Sequence, residues 1–110
     1  MTLRTLLEDA AAKRPDSIAL RYKRDNNWQS RTYAQLAFCV RQMAEAFGRL
    51  GLHPLKDQVA LILENGPEWV ETYLATAGAG IVVVPLDPKL RAAEVAFILQ
   101  DSDAVAVFTD

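Results

Sequence analysis

A single cysteine, Cys39, among 110 residues excludes an internal disulfide and a multi-thiolate metal centre. A reducing, cytoplasmic setting fits that usage. Histidine is equally scarce, His53 standing alone. Glycine and proline number five each, too few for collagen-like or low-complexity sequence. No heptad pattern extends past one helix. Long apolar runs are missing as well, so no segment is expected to cross a membrane. Glu8 and Asp9 bring acid too early for a secretory leader. What remains is a chain that is 51% hydrophobic with a formal net charge of −2, which excludes intrinsic disorder. Its length predicts one domain, residues 1–110, with a real core.

The small net charge conceals a division. Residues 1–56 carry ten of the twelve lysines and arginines and five of the fourteen acids; residues 57–110 carry two bases and nine acids. The halves are therefore +5 and −7. Such a division fits a basic arm that meets nucleic acid or phosphates. It also fits faces that are solvated or that complement each other in a larger assembly. The bases are spread out with no aromatic interleaving, which favours the second reading and predicts no nucleic-acid partner.

Leu3, Leu6, Leu7, Ala10 and Ala11 follow helical spacing, with Thr2 as a cap, Pro15 as a stop and an Asp9–Lys13 pair four residues apart. Residues 18–23 and 28–31 predict two strands joined by an Asp25-Asn26-Asn27 turn. Leu36, Val40, Met43, Phe47 and Leu50 form the stripe of a long helix. Thr32 and Gln35 make a capping box at its start, and Gly51 supplies a left-handed stop. Residues 58–63 and 81–84 are nearly continuous apolar runs, expected of buried strands, and residues 104–108 form a third. Between them, Trp69, Val70, Tyr73, Leu74 and Ala77 predict the apolar face of one helix. Ala92, Val95, Ala96 and Leu99, widened by Phe97 and Ile98, predict that of another. The expectation is an α/β fold, three-layer-like. A parallel sheet with strands near 58–63, 81–84 and 104–108 is joined by crossover helices, and a helix, a β-hairpin and a long helix precede it.

Residue chemistry points to no active site. Gly78-Ala79-Gly80 follows a helix and precedes a strand, the reverse of a phosphate cradle, so a tight turn accounts for it better. Glu64-Asn65-Gly66-Pro67 has the right polarity and would lie at the carboxyl edge of the sheet. Pro67 removes a donor there, so helix capping is the reading. Glu64 with Glu68, Glu68 with Glu71, and Asp101 with Asp103 are paired carboxylates that lack a helper of matching chemistry. Cys39 and His53 have no partner ligands in the sequence. No catalytic, cofactor-binding or metal-binding residue is assigned.

The motifs do carry a resemblance. Arg31-Thr32-Tyr33-Ala34-Gln35-Leu36 resembles the first core motif of adenylate-forming, AMP-binding enzymes. Residues 75–88, from Ala75 through Gly78 and Pro85 to Pro88, resemble the second. Pro88 to Ser102 and Arg14 to Leu20 are similar to flanking segments of acyl-CoA synthetases and fatty-acid CoA ligases. Arg31 stands where that family has Leu, Gln35 where it has Glu, and Gly80 where Ala is common.

The resemblance implies the N-terminal subdomain of a synthetase large domain. The parent reaction would be attack of a carboxylate on ATP to give an acyl-adenylate, then transfer to coenzyme A. ATP, Mg and CoA are implied for the parent enzyme and none for this segment. The family's Thr/Ser/Gly-rich phosphate loop and catalytic lysine do not occur in the chain, so inactivity on its own is expected. The remainder of a synthetase, or another copy in a homo-oligomer, is the expected partner. A free-standing oligomerisation or protein-binding module with the same fold is the alternative.

Overall fold

The structure, a computed structural model, describes residues 3–109. Helix α1 (Leu3–Lys13) turns Leu7 inward and carries the Asp9–Lys13 pair at 3.1 Å. The cap expected of Thr2 lies outside the described residues. Strands β1 (Ile18–Arg24) and β2 (Asn27–Thr32) pair antiparallel around Asp25 and Asn26. Both turn residues have positive φ, 53° and 64°, which a two-residue turn compatible with strand twist requires.

Helix α2 (Tyr33–Arg49) starts at the expected capping box. The Gln35 amide donates to Thr32 Oγ1 at 3.2 Å, and the Thr32 amide donates to Gln35 Oε1 at 2.9 Å. Leu36, Val40 and Phe47 are buried on its inner face. Gly51, at φ 79°, follows the helix end in the left-handed conformation expected of it.

The second half alternates β3 (Gln58–Ile62), α3 (Pro67–Gly78), β4 (Val82–Pro85), α4 (Ala92–Ser102) and β5 (Ala106–Thr109). The sheet is parallel in the order β4-β3-β5. Right-handed crossovers to opposite sides of β3 set α3 and α4 on opposite faces. Val59, Val83 and Ala106 share one face; Ala60, Val84 and Val107 share the other. The core gathers Leu7, Leu36, Val40, Phe47, Val59 and Ala75, so it joins α1, α2 and α3 to a single face of the sheet. Phe108 extends it by stacking on Phe47 at 5.1 Å.

The α/β expectation therefore holds, with five corrections. The strands begin or end one or two residues from the expected bounds. Only β3 buries residues fully, Val59, Ala60 and Leu61; Val82 on β4 and Val107 on β5 stay 50% and 42% exposed, because each lies in an edge strand on the thinly covered face. Helix α4 follows its apolar spacing yet buries no residue fully, and Phe97 is exposed. Leu50 falls past the end of α2 and is also exposed, since the chain leaves the helix before that position turns inward.

The fifth correction concerns α3. Its buried residues are Pro67, Glu71, Thr72, Ala75 and Thr76, not the Trp69–Tyr73 stripe, whose side chains are half-buried. The two threonines of this face each find a partner. Thr76 Oγ1 donates to the Thr72 carbonyl at 2.6 Å, and Thr72 Oγ1 reaches Met43 Sδ at 3.7 Å.

The accessible surface is 7298 Å², about a fifth more than the ~6,100 Å² expected of a folded 12.2 kDa monomer. The radius of gyration, 14.9 Å, likewise exceeds the ~13 Å typical of this length.

Candidate functional site

Open parallel sheets bind ligands beyond the carboxyl ends of their strands. Here that edge is formed by the turn from β3 into α3 and by the exit from β4. A cavity of about 430 Å³ lies between them, bordered by Glu64, Asn65, Trp69, Asp87 and Lys89. Trp69 is held there by stacking on Tyr73, at 5.1 Å between centroids and 8° between planes. The exit is fixed by the Leu86 amide donating to the Leu61 carbonyl at 2.9 Å. Asp87 Oδ1 accepts from the Lys89 amide at 2.9 Å, which folds Asp87 over the following turn.

This edge does not fit a nucleotide triphosphate by its own residues. Gly66 caps α3 without a side-chain bond, and Pro67 at the first helical position has no amide to offer. Glu64 and Asp87 set two carboxylates on the cavity's lining, against Lys89 alone among its residues as a cation. Among the described residues no group of three or more His, Cys, Asp or Glu could hold a metal ion. Gly78 and Gly80 sit at the helix-to-strand turn, Gly80 at φ 79°. A Cβ at Gly78 would come within 3.2 Å of Arg4 Cβ, so α1 and α3 approach closely there. His53 is exposed and contributes its backbone amide, which donates to Asp57 Oδ2 at 2.7 Å.

The most structured polar cluster lies where the hairpin docks on α3. Arg24 Nη2 donates to both oxygens of Glu68, at 2.7 and 2.9 Å. Arg31, from β2, pairs through Nε with Oε1 of Glu71, whose residue is only 5% exposed. Tyr22 lies between the two arginines; its ring centroid is 5.4 Å from the Arg24 guanidinium and 5.9 Å from that of Arg31. Hydrogen bonds from Arg24 hold the Glu68 carboxyl below the usual carboxylate range, although partial burial pushes the other way. Beside Glu71, burial pushes the Cys39 thiol up; the negative charge of Glu71 adds to this and Arg31 opposes it.

Sequence spacing leaves Glu68 and Glu71 without partners, but the fold brings each an arginine from the basic half. The signal pointing there is the charge division itself. Arg31 in place of an apolar residue is the second sign, since a buried acid on the facing helix balances it.

Comparison with known proteins converges on one family. The family model described as AMP-binding enzyme matches residues 7–110. The chain is 37% identical over 106 residues to YngI of Bacillus subtilis, which is named as an acyl-CoA synthetase; this covers 96% of the chain and 19% of that protein. It is 32% identical over 108 residues to tyrocidine synthase 3 of Brevibacillus parabrevis, covering 98% of the chain and 2% of that protein. Among solved structures, O-succinylbenzoate coenzyme A synthetase of Bacillus subtilis, in complex with AMP, superposes with a TM-score of 0.84. It is 33% identical, and the match covers 94% of this chain and 26% of that one. The chain thus spans about a fifth or less of these two sequence relatives. With the helix, hairpin, long helix and parallel sheet in the expected order, the chain belongs to the AMP-binding enzyme family of adenylate-forming ligases.

Proposed function

We propose that this chain is the N-terminal structural portion of an ATP-dependent acyl-CoA synthetase, acting in the cytoplasm on fatty-acid-like carboxylates. In the whole enzyme a carboxylate would attack ATP to give an acyl-adenylate and pyrophosphate. The coenzyme A thiol would then take the acyl group and release AMP. The role of these 110 residues is to scaffold. The observation that carries this reading is the uncovered surface beside a carboxyl edge whose own residues repel phosphate. Val82 and Val107 face outward on that sheet, where further chain would cover them. The likeness to YngI supports coenzyme A as the acceptor.

ATP–pyrophosphate exchange with a panel of carboxylic acids tests the scaffold role. The isolated chain is expected to give background rates, and exchange clearly above background would refute it. A second reading is favoured by the likeness to tyrocidine synthase 3: an adenylation unit that passes an aminoacyl group to a carrier-bound thiol. Assay of a longer gene product containing this segment separates the two. Formation of acyl-CoA supports the first reading, and loading of a carrier protein with an amino acid supports the second.

A further inference from the structure

The hairpin has two faces, and the structure uses one. Tyr22, Arg24 and Arg31 turn toward α3 and are engaged there. On the other face, Arg21 lies opposite Ser30 and Lys23 opposite Trp28, all four exposed. Trp28 is 69% exposed, and neither cation meets an acid among the described residues. The result is a flat ribbon with one large aromatic ring flanked by two positive charges.

Helix α4 presents the converse. Glu94, Phe97 and Asp101 fall at i, i+3 and i+7, on one face of the helix. Phe97 is 68% exposed, and both acids are exposed. One Glu94 oxygen accepts from the Arg91 amide, and Asp101 pairs with no cation among the described residues. Asp103 just beyond the helix adds a third carboxylate, against Arg91 as the single cation of the stretch.

We infer that the outer hairpin face of one copy docks on the α4 face of a second copy, Trp28 against Phe97 and Arg21 and Lys23 against Glu94 and Asp101. Two observations select a second copy as the occupant. The two faces are opposite in charge sign and so complement each other, and each offers one exposed ring at its centre. The contact joins different patches, so it is heterologous and adds copies head to tail. It does not depend on the acceptor assigned above.

Sedimentation of the 110-residue chain tests this directly. Association should rise with protein concentration and fall as salt goes from about 0.05 to 0.5 M, where screening shortens the reach of charge severalfold. The variant R21E/K23E and the variant E94K/D101K should each sediment as monomers, since each now opposes like charges. Mixed together they should associate again, because each restores the other's complement. All four positions are exposed, and far-UV circular dichroism checks that the variants fold. Trp28→Thr and Phe97→Ser, which keep every charge, should each weaken association at least about fivefold. A monomer at every concentration and salt, or association indifferent to the charge reversals, would overturn the inference. So would binding of anionic vesicles or RNA by the hairpin with no self-association.

Discussion

Glu71 and Arg31 show how much one buried charge can determine. Removing either partner strands the other, so Arg31→Leu or Glu71→Gln should cost about 2–4 kcal/mol in urea unfolding. That lies below the fully buried range because the Arg31 side chain is 27% exposed. Replacing both with Leu should return stability to within about 1 kcal/mol of the parent, since an apolar pair removes the desolvation penalty on both sides. Cys39 reports on the same pocket. Its raised thiol pKa predicts iodoacetamide labelling at pH 8 slower than that of a free thiol, and faster labelling in Glu71→Gln. Glu68 gives the pH dependence. A carboxyl lowered on folding stabilises the fold above its unfolded value, about 4.3, and loses that contribution as pH falls through the folded value. The drop in urea midpoint from pH 7 to pH 3 should therefore be larger in the parent than in Arg24→Gln. Leu55 is strained for no gain in packing: it holds φ 64° while 91% exposed. Leu55→Gly should raise stability by about 1 kcal/mol in the same assay.

At the scale of elements, legibility follows how local the determining interactions are. The α2 capping box is readable because Thr32 and Gln35 settle it within one turn; Thr32→Ala should cost about 1 kcal/mol by urea unfolding. The hairpin turn is equally plain, as Asp25 and Asn26 tolerate the φ that it demands. Helix α3 misleads because hydrophobicity marks the wrong side. Thr76 bonded within the helix, Thr72 reaching Met43 of α2, and a glutamate neutralised from another element can be buried at little penalty. Meanwhile Trp69 and Tyr73 cover each other and remain half in solvent. Helix α4 is legible as a helix, but its exposure is not. Spacing reports which side is apolar, whereas burial depends on what lies opposite.

For the whole molecule, the charge division is visible in composition and its meaning is not. The fold turns it back on itself: Arg24 and Arg31 of the basic half meet Glu68 and Glu71 of the acidic half. The candidate site is legible only as a place, the carboxyl edge, since strand-to-helix polarity locates it. Its acidic lining comes from Glu64 and Asp87, which two separate turns bring together. The open sheet face, with Val82 and Val107 on it, leaves this molecule with more surface than a closed domain of its mass.

The bond between Arg24 and Glu68 spans 44 positions of sequence. A ribosome adding about 5–20 residues per second needs roughly 2–9 s to cover that interval. Throughout it the newly made hairpin emerges without the helix that fastens it, with Tyr22 and both arginines bare. Its two strands are too few to hold by themselves in water. The ribbon's final geometry is thus set late, when α3 leaves the exit tunnel, and the two clamps close together as one cooperative event rather than strand by strand.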